Sequence, residues 1–116
     1  MSENKLVRIM DRLYKRTEKG EVAWEATVED GEFQAAFADY SVKIVPRFKT
    51  RYATEPDYVL QIFNADGQLL DETSNVDLEE EREEYYEMMK ELYSGARRKA
   101  LRVDTALDSI LDELET

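Results

Sequence analysis

The spacing of apolar positions divides the chain into three stretches. Residues 3–19 place Leu6, Ile9, Met10 and Leu13 at helical spacing, flanked by Val7 and Tyr14, which predicts an amphipathic helix. Ser2 is a plausible N-cap and Gly20 a plausible residue just past the C-terminus. Residues 22–74 alternate instead with a period of two and are punctuated by Glu29-Asp30-Gly31-Glu32 and Asn64-Ala65-Asp66-Gly67, which reads as short strands joined by turns. From Leu78 onward the helical spacing returns.

Turn chemistry sets an expected register. Asp30-Gly31 is a type I′ hairpin signal, because both central residues must tolerate positive φ. Placed at the tip, it sets Val28 opposite Phe33, Ala26 opposite Ala35 and Trp24 opposite Phe37. Ala38-Asp39 at the next turn sets Phe37 opposite Tyr40, Ala35 opposite Val42 and Phe33 opposite Ile44. Both turns then put Trp24, Phe33, Phe37, Tyr40, Val42 and Ile44 on one inward face. Pro46 ends the third strand or places it at an edge. Residues 47–56 are a polar connection, and Tyr58–Phe63 is a fourth strand. Asn64–Gly67 fits a type I turn with a glycine bulge, which sets Phe63 opposite Leu69 and Ile62 opposite Leu70 in a fifth strand over 68–73.

Asp77 followed by Glu80 has the spacing of a capping box. Beyond it runs an apolar stripe of Leu78, Tyr85, Met89, Leu92, Ala96 and Ala100, continued by Val103, Leu107, Ile110 and Leu114. This predicts a helix buried along one face over about 78–101, weakened in the middle by Ser94-Gly95, and again over about 104–114, with a bend or break between and Asp104 as a cap for the second. The fold class that follows is α+β: an N-terminal helix, a five-stranded antiparallel meander, and a C-terminal helix or broken pair packed on one sheet face.

Composition narrows the chemistry. The chain has 116 residues, the length of one domain spanning 1–116, and no linker or repeat divides it. Its net charge of −11, from 27 acidic and 16 basic residues, opposes long-range attraction to nucleic acid or anionic lipid. With neither cysteine nor histidine, the chain lacks thiolate chemistry and the commonest general base and transition-metal ligand. No apolar run reaches the roughly 18 residues of a membrane span, and the N-terminus lacks a signal-peptide core, so a cytoplasmic location is expected.

Candidate binding residues fall in four groups. Glu80, Glu84, Glu87 and Glu91 share one helix face; they are a solvated acidic row, a dock for a basic partner, or a mimic of a phosphate backbone. Exposed carboxylates at helical spacing hold Mg²⁺ or Ca²⁺ only loosely, so no metal site is assigned. Arg97 and Arg98, with Lys99 and Arg102, form a basic cluster that binds a phosphate, pairs with the acidic run of a second subunit, or simply balances the carboxylates nearby. Lys43, Arg47, Lys49 and Arg51, with Phe48 and Tyr52, mix cations and aromatics as single-strand binders do, but against the net charge. Trp24 and Tyr40 mark a possible ligand pocket between sheet and helices. The four isolated glycines form no phosphate loop, there is no nucleophile–base pair, and neither catalysis nor a cofactor is expected.

In general form this small acidic α+β chain is similar to bacterial secretion chaperones, dimers that hold partner segments. The likeness covers architecture and charge, no motif carries it, and the uninterrupted five-strand order departs from their interleaved helix. It implies a protein-binding role and assigns no residues. The expectation is a non-enzymatic, homodimeric interaction module using its C-terminal helix and an open sheet edge. The alternatives are an acidic inhibitor or nucleic-acid mimic on a basic partner, and a small-ligand binder.

Overall fold

The computed structural model describes residues 5–79 and 83–116. Ser2 and Glu80, proposed above for capping, lie outside them. The element order is α1 (Lys5–Glu18), β1 (Glu25–Ala26), β2 (Phe33–Phe37), β3 (Tyr40–Arg47), β4 (Asp57–Phe63), β5 (Leu69–Ser74), α2 (Asn75–Glu79), α3 (Tyr85–Ala100) and α4 (Val103–Glu115). The strands form one antiparallel sheet in the order β1-β2-β3-β4-β5, with helices on one face: the α+β class read from the sequence.

α1 stops where Gly20 takes φ 72°. Gly20 N–H donates to Thr17 O and Glu21 N–H to Arg16 O, the two bonds of a Schellman cap. The chain then turns so that Val22 and Trp24 enter the core. From the sheet, Phe33, Ala35, Val42, Ile44, Tyr58 and Leu60 face Met10 and Leu13 of α1 and Tyr85, Met89, Leu92 and Ala96 of α3. α3 therefore buries its wide apolar face against two surfaces, the sheet and α1.

The β2–β3 register matches expectation: Phe33 opposite Ile44, Ala35 opposite Val42, Phe37 opposite Tyr40. Phe37 and Tyr40 nevertheless remain exposed at the end of the sheet. Pro46 sits inside β3, past Ile44, where β2 has ended and no neighbour on that side needs its missing N–H.

The first hairpin differs. Ala26 pairs with Phe33, two residues from the expected partner, and Trp24 precedes β1 rather than pairing with Phe37. Asp30 does not adopt positive φ, so the tip is not type I′. Instead Thr27 Oγ1 accepts the Glu29 N–H and donates to Glu29 O, while Thr27 N–H reaches Glu32 O. This local hydroxyl turn widens the loop. Val28, expected inward, is 101% exposed. A slip of two keeps each strand residue on its own face, so Phe33, Val42 and Ile44 stay buried as expected, while Phe37 and Tyr40 do not.

At the β4–β5 turn the type I turn and Gly67 bulge form as read, and Asn64 Oδ1 accepts the N–H groups of Asp66 and Gln68. Phe63 pairs with Leu69, but Ile62 pairs with Asp71 and not Leu70, because Leu70 is the extra residue of the bulge.

The C-terminal half departs most. α2 starts three residues early: Ser74 is its cap, with Oγ accepting the Asp77 N–H at 3.3 Å and donating to the Asp77 carboxylate. Asp77 is thus bonded to the cap hydroxyl from the third helical position and is not itself the cap. Glu83 and Glu84 form a turn before α3, so the helix expected over 78–101 is two helices. The break before α4 occurs where expected. It is made by Arg102 in the left-handed region, φ 53° and ψ 47°, while Asp104 lies in the first turn and pairs with Arg98 instead of capping. The apolar stripe is buried only through Ala96. α4 buries none of its residues and makes its sustained contact with α3 alone. The molecule measures 60 × 36 × 25 Å.

Candidate functional site

The residues with the strongest aromatic signal are structural. Trp24 is 3% exposed, and its indole N–H donates to Thr17 Oγ1 at 2.9 Å. Phe33, Tyr58, Tyr86 and Tyr93 form a chain of tilted rings with centroids 5.3 to 6.1 Å apart, the tilted geometry that ring quadrupoles favour. Burial raises the pKa values of Tyr58, Tyr86 and Tyr93 above the usual tyrosine value. The Tyr93 hydroxyl donates to Gly31 O at 2.6 Å and ties the β1–β2 loop to α3. Trp24 and Tyr40 do not share a pocket: Trp24 lies in the core, and Tyr40 lines an open groove.

The acidic row is partly engaged. Glu80 lies outside the described residues. Glu84 and Glu87 are exposed at the start of α3. Glu91 accepts a hydrogen bond from the Tyr14 hydroxyl across the α1–α3 contact. That bond, then burial and the charges of Glu18 and Glu91, push the Tyr14 pKa up to about 12. Lys90 pairs with Glu55 at 3.5 Å. Among the described residues, no group of three or more Asp, Glu, His or Cys side chains is placed to hold a metal ion.

The basic cluster is divided. Arg98 pairs with Asp104 across the α3–α4 break, while Arg97 is exposed beside Tyr93. Arg98, Lys99 and Arg102, with Glu18 and Asp104, border an open hollow of about 640 Å³ between the ends of α1 and α3. The mixed cations and aromatics of the middle stretch are also dispersed. Lys43 lies over the Phe63 ring on the uncovered sheet face at 5.0 Å, Lys49 pairs with Asp57, and Arg51 stacks on Tyr52. Phe48 and Tyr52 are exposed in the loop.

Two features face solvent, one that the sequence analysis did not single out and one that it did. The first is a groove of about 690 Å³ along α1. Its apolar floor is Ile9, Phe37, Tyr40, Val42 and Ile62, and its rim is Lys5, Arg8, Arg12 and Arg16. These four cations recur at i, i+3, i+7 and i+11, one face of a helix. Lys5, Arg12 and Arg16 have no ion-pair partner among the described residues. The second is α4. Leu107, Ile110, Leu111 and Leu114 are each about half exposed or more, and the flanking charges on the helix are all acidic: Asp104, Asp108, Asp112, Glu113 and Glu115. The sequence did carry both signals, as a local excess of cations in residues 1–20 and an apolar stripe in 103–114. What it lacked was their surroundings.

No helix among the described residues is long and apolar enough to cross a membrane. The chain matches no known family model, no curated protein and no solved structure. The general likeness to secretion chaperones therefore gains no support from these comparisons.

Proposed function

We propose that this protein is a non-enzymatic interaction module that self-associates, with α4 as its contact element. The observation that carries the reading is the four large apolar side chains of α4, exposed on a helix that buries none of its residues and whose sustained contact among the described residues is with α3. Burying a Leu or Ile side chain is worth about 1.5–3 kcal/mol, so a face of four is a strong incentive to associate. An isolated helix of 13 residues is also marginal in water, and a partner surface would hold it folded.

Light scattering tests this directly. The wild-type chain is expected at twice the monomer mass, and Leu107→Asp with Ile110→Asp at the monomer mass. Because α4 contributes nothing to the core, the far-ultraviolet circular dichroism of the variant should keep its sheet and α1–α3 signal. A wild-type chain that stays monomeric at its highest soluble concentration removes the reading.

A further inference from the structure

From α4 as contact element we infer its docking site: the basic-rimmed groove along α1 of a second copy, with the two copies exchanging α4 helices around a two-fold axis. The inference rests on the reading of α4 above and adds where the helix goes.

The two surfaces match in three respects. Charge is the first: the groove rim is four cations and α4 carries carboxylates alone, of which Asp108, Asp112, Glu113 and Glu115 have no ion-pair partner among the described residues. Apolar surface is the second. Phe37 and Tyr40 are exposed on the groove floor, as Leu107, Ile110 and Leu114 are on the helix. Length is the third: at 1.5 Å per residue the cation row from Lys5 to Arg16 runs about 17 Å and α4 about 20 Å.

The competing self-association, α4 against α4 as a coiled coil, is disfavoured by the same charges. Val103, Leu107, Ile110 and Leu114 have the three-and-four spacing of a seam, but the charged residues of α4 that flank it, Asp104 and Glu113, are both acidic, and like charges across such a seam repel. Exchange into the groove replaces that repulsion with attraction. It also closes: each copy gives one helix and receives one, leaving no free half-site for a third copy.

Charge reversal separates these cases. Arg12→Glu with Arg16→Glu alters only exposed groove residues, and Asp108→Lys with Glu115→Lys alters only exposed positions of α4, seven residues apart on one flank of its apolar face. Each pair alone is expected to weaken homodimerisation by about tenfold or more, since attraction becomes repulsion at both contacts. Mixing the two variants should restore a dimer of one copy of each, because both contacts are then complementary. Joining all four substitutions in one chain should restore the homodimer. As a second reading of the same contact, Tyr40→Cys and Leu114→Cys, placed in separate copies of this cysteine-free chain, should join through a short bis-maleimide. If the groove reversal leaves the dimer unweakened while Leu107→Asp with Ile110→Asp abolishes it, α4 is the contact element but the groove is not its site, and the inference fails alone. Failure of the mixed variants to associate, or a dimer strengthened by added salt as an acidic coiled coil would be, overturns it likewise.

Discussion

Gly95 sits so close to Thr17 that a Cβ at position 95 would stand 2.8 Å from Thr17 Cγ2. This is where α3 crosses α1, and Thr17 cannot turn away freely because its Oγ1 holds the Trp24 indole. Glycine in the middle of α3 weakens the helix locally, by about 1 kcal/mol relative to alanine, and permits this approach.

Gly95→Ala is therefore expected to lower stability, because overpacking costs about 1–3 kcal/mol against a propensity gain of about 1. Thr17→Ser keeps the oxygen for Trp24 and removes the methyl. In that background the same Gly95→Ala should become stabilising. Urea denaturation of the four-member cycle reads the change of sign; equal effects in both backgrounds would show that the contact does not decide the residue.

Asn75 is buried, and its side chain continues a ladder that the backbone leaves. β5 ends opposite Val59, and Asn75 Oδ1 accepts the next N–H along β4, that of Tyr58, at 2.7 Å while its Nδ2 donates to Asp57. Asn75→Ala leaves that N–H without its acceptor and should cost about 1–3 kcal/mol in chemical denaturation. Asn75→Asp keeps an acceptor but loses the donor to Asp57 and adds a like charge beside it, so it should not rescue.

How far the sequence reaches is clearest in the two hairpins. The β2–β3 register was legible because a two-residue turn and the alternation of Phe33, Ala35 and Phe37 against Tyr40, Val42 and Ile44 demand the same pairing. The β1–β2 register was not. Its loop is shaped by the Thr27 hydroxyl and by Tyr93, which arrives from 62 residues away. In the C-terminal half, periodicity identified the stripe through Leu114 but not what covers it, since period reports a face and not its neighbour. The groove was hidden for the same reason: Arg12 and Arg16 are adjacent to Tyr40 only after the sheet has formed.

Ala38 holds the β2–β3 turn at φ 58°, a region that costs an L-residue about 1–2 kcal/mol and glycine almost nothing. Its exposed side chain makes no core contact. Ala38→Gly should raise stability by about 0.5–1 kcal/mol, after allowing for the greater freedom glycine has when unfolded. A melting temperature that falls would show that the turn tolerates alanine better than its backbone angle implies.

Tyr14 links α1 to α3 through the Glu91 carboxylate, and its pKa stands at about 12 against an ordinary value of 10.0. The hydrogen bond to Glu91 is the largest cause, and it exists only while the phenol keeps its proton. The folded chain thus holds this proton more tightly than the unfolded chain does. Its contribution to stability is complete below pH 10 and is lost as pH rises through 12. Tyr58, Tyr86 and Tyr93 also titrate late, so titration at 295 nm should be compared with that of Tyr14→Phe: the one phenolate step near pH 12 that the variant lacks marks Tyr14. Glu91→Gln should move that step toward lower pH, since an amide oxygen accepts less strongly than a carboxylate and carries no charge to oppose the phenolate. The Tyr14→Phe variant should be less stable than wild type at pH 8, with the difference shrinking through pH 10 to 12. A constant difference across that range would mean that the tyrosine supports the fold by packing rather than by its bond to Glu91.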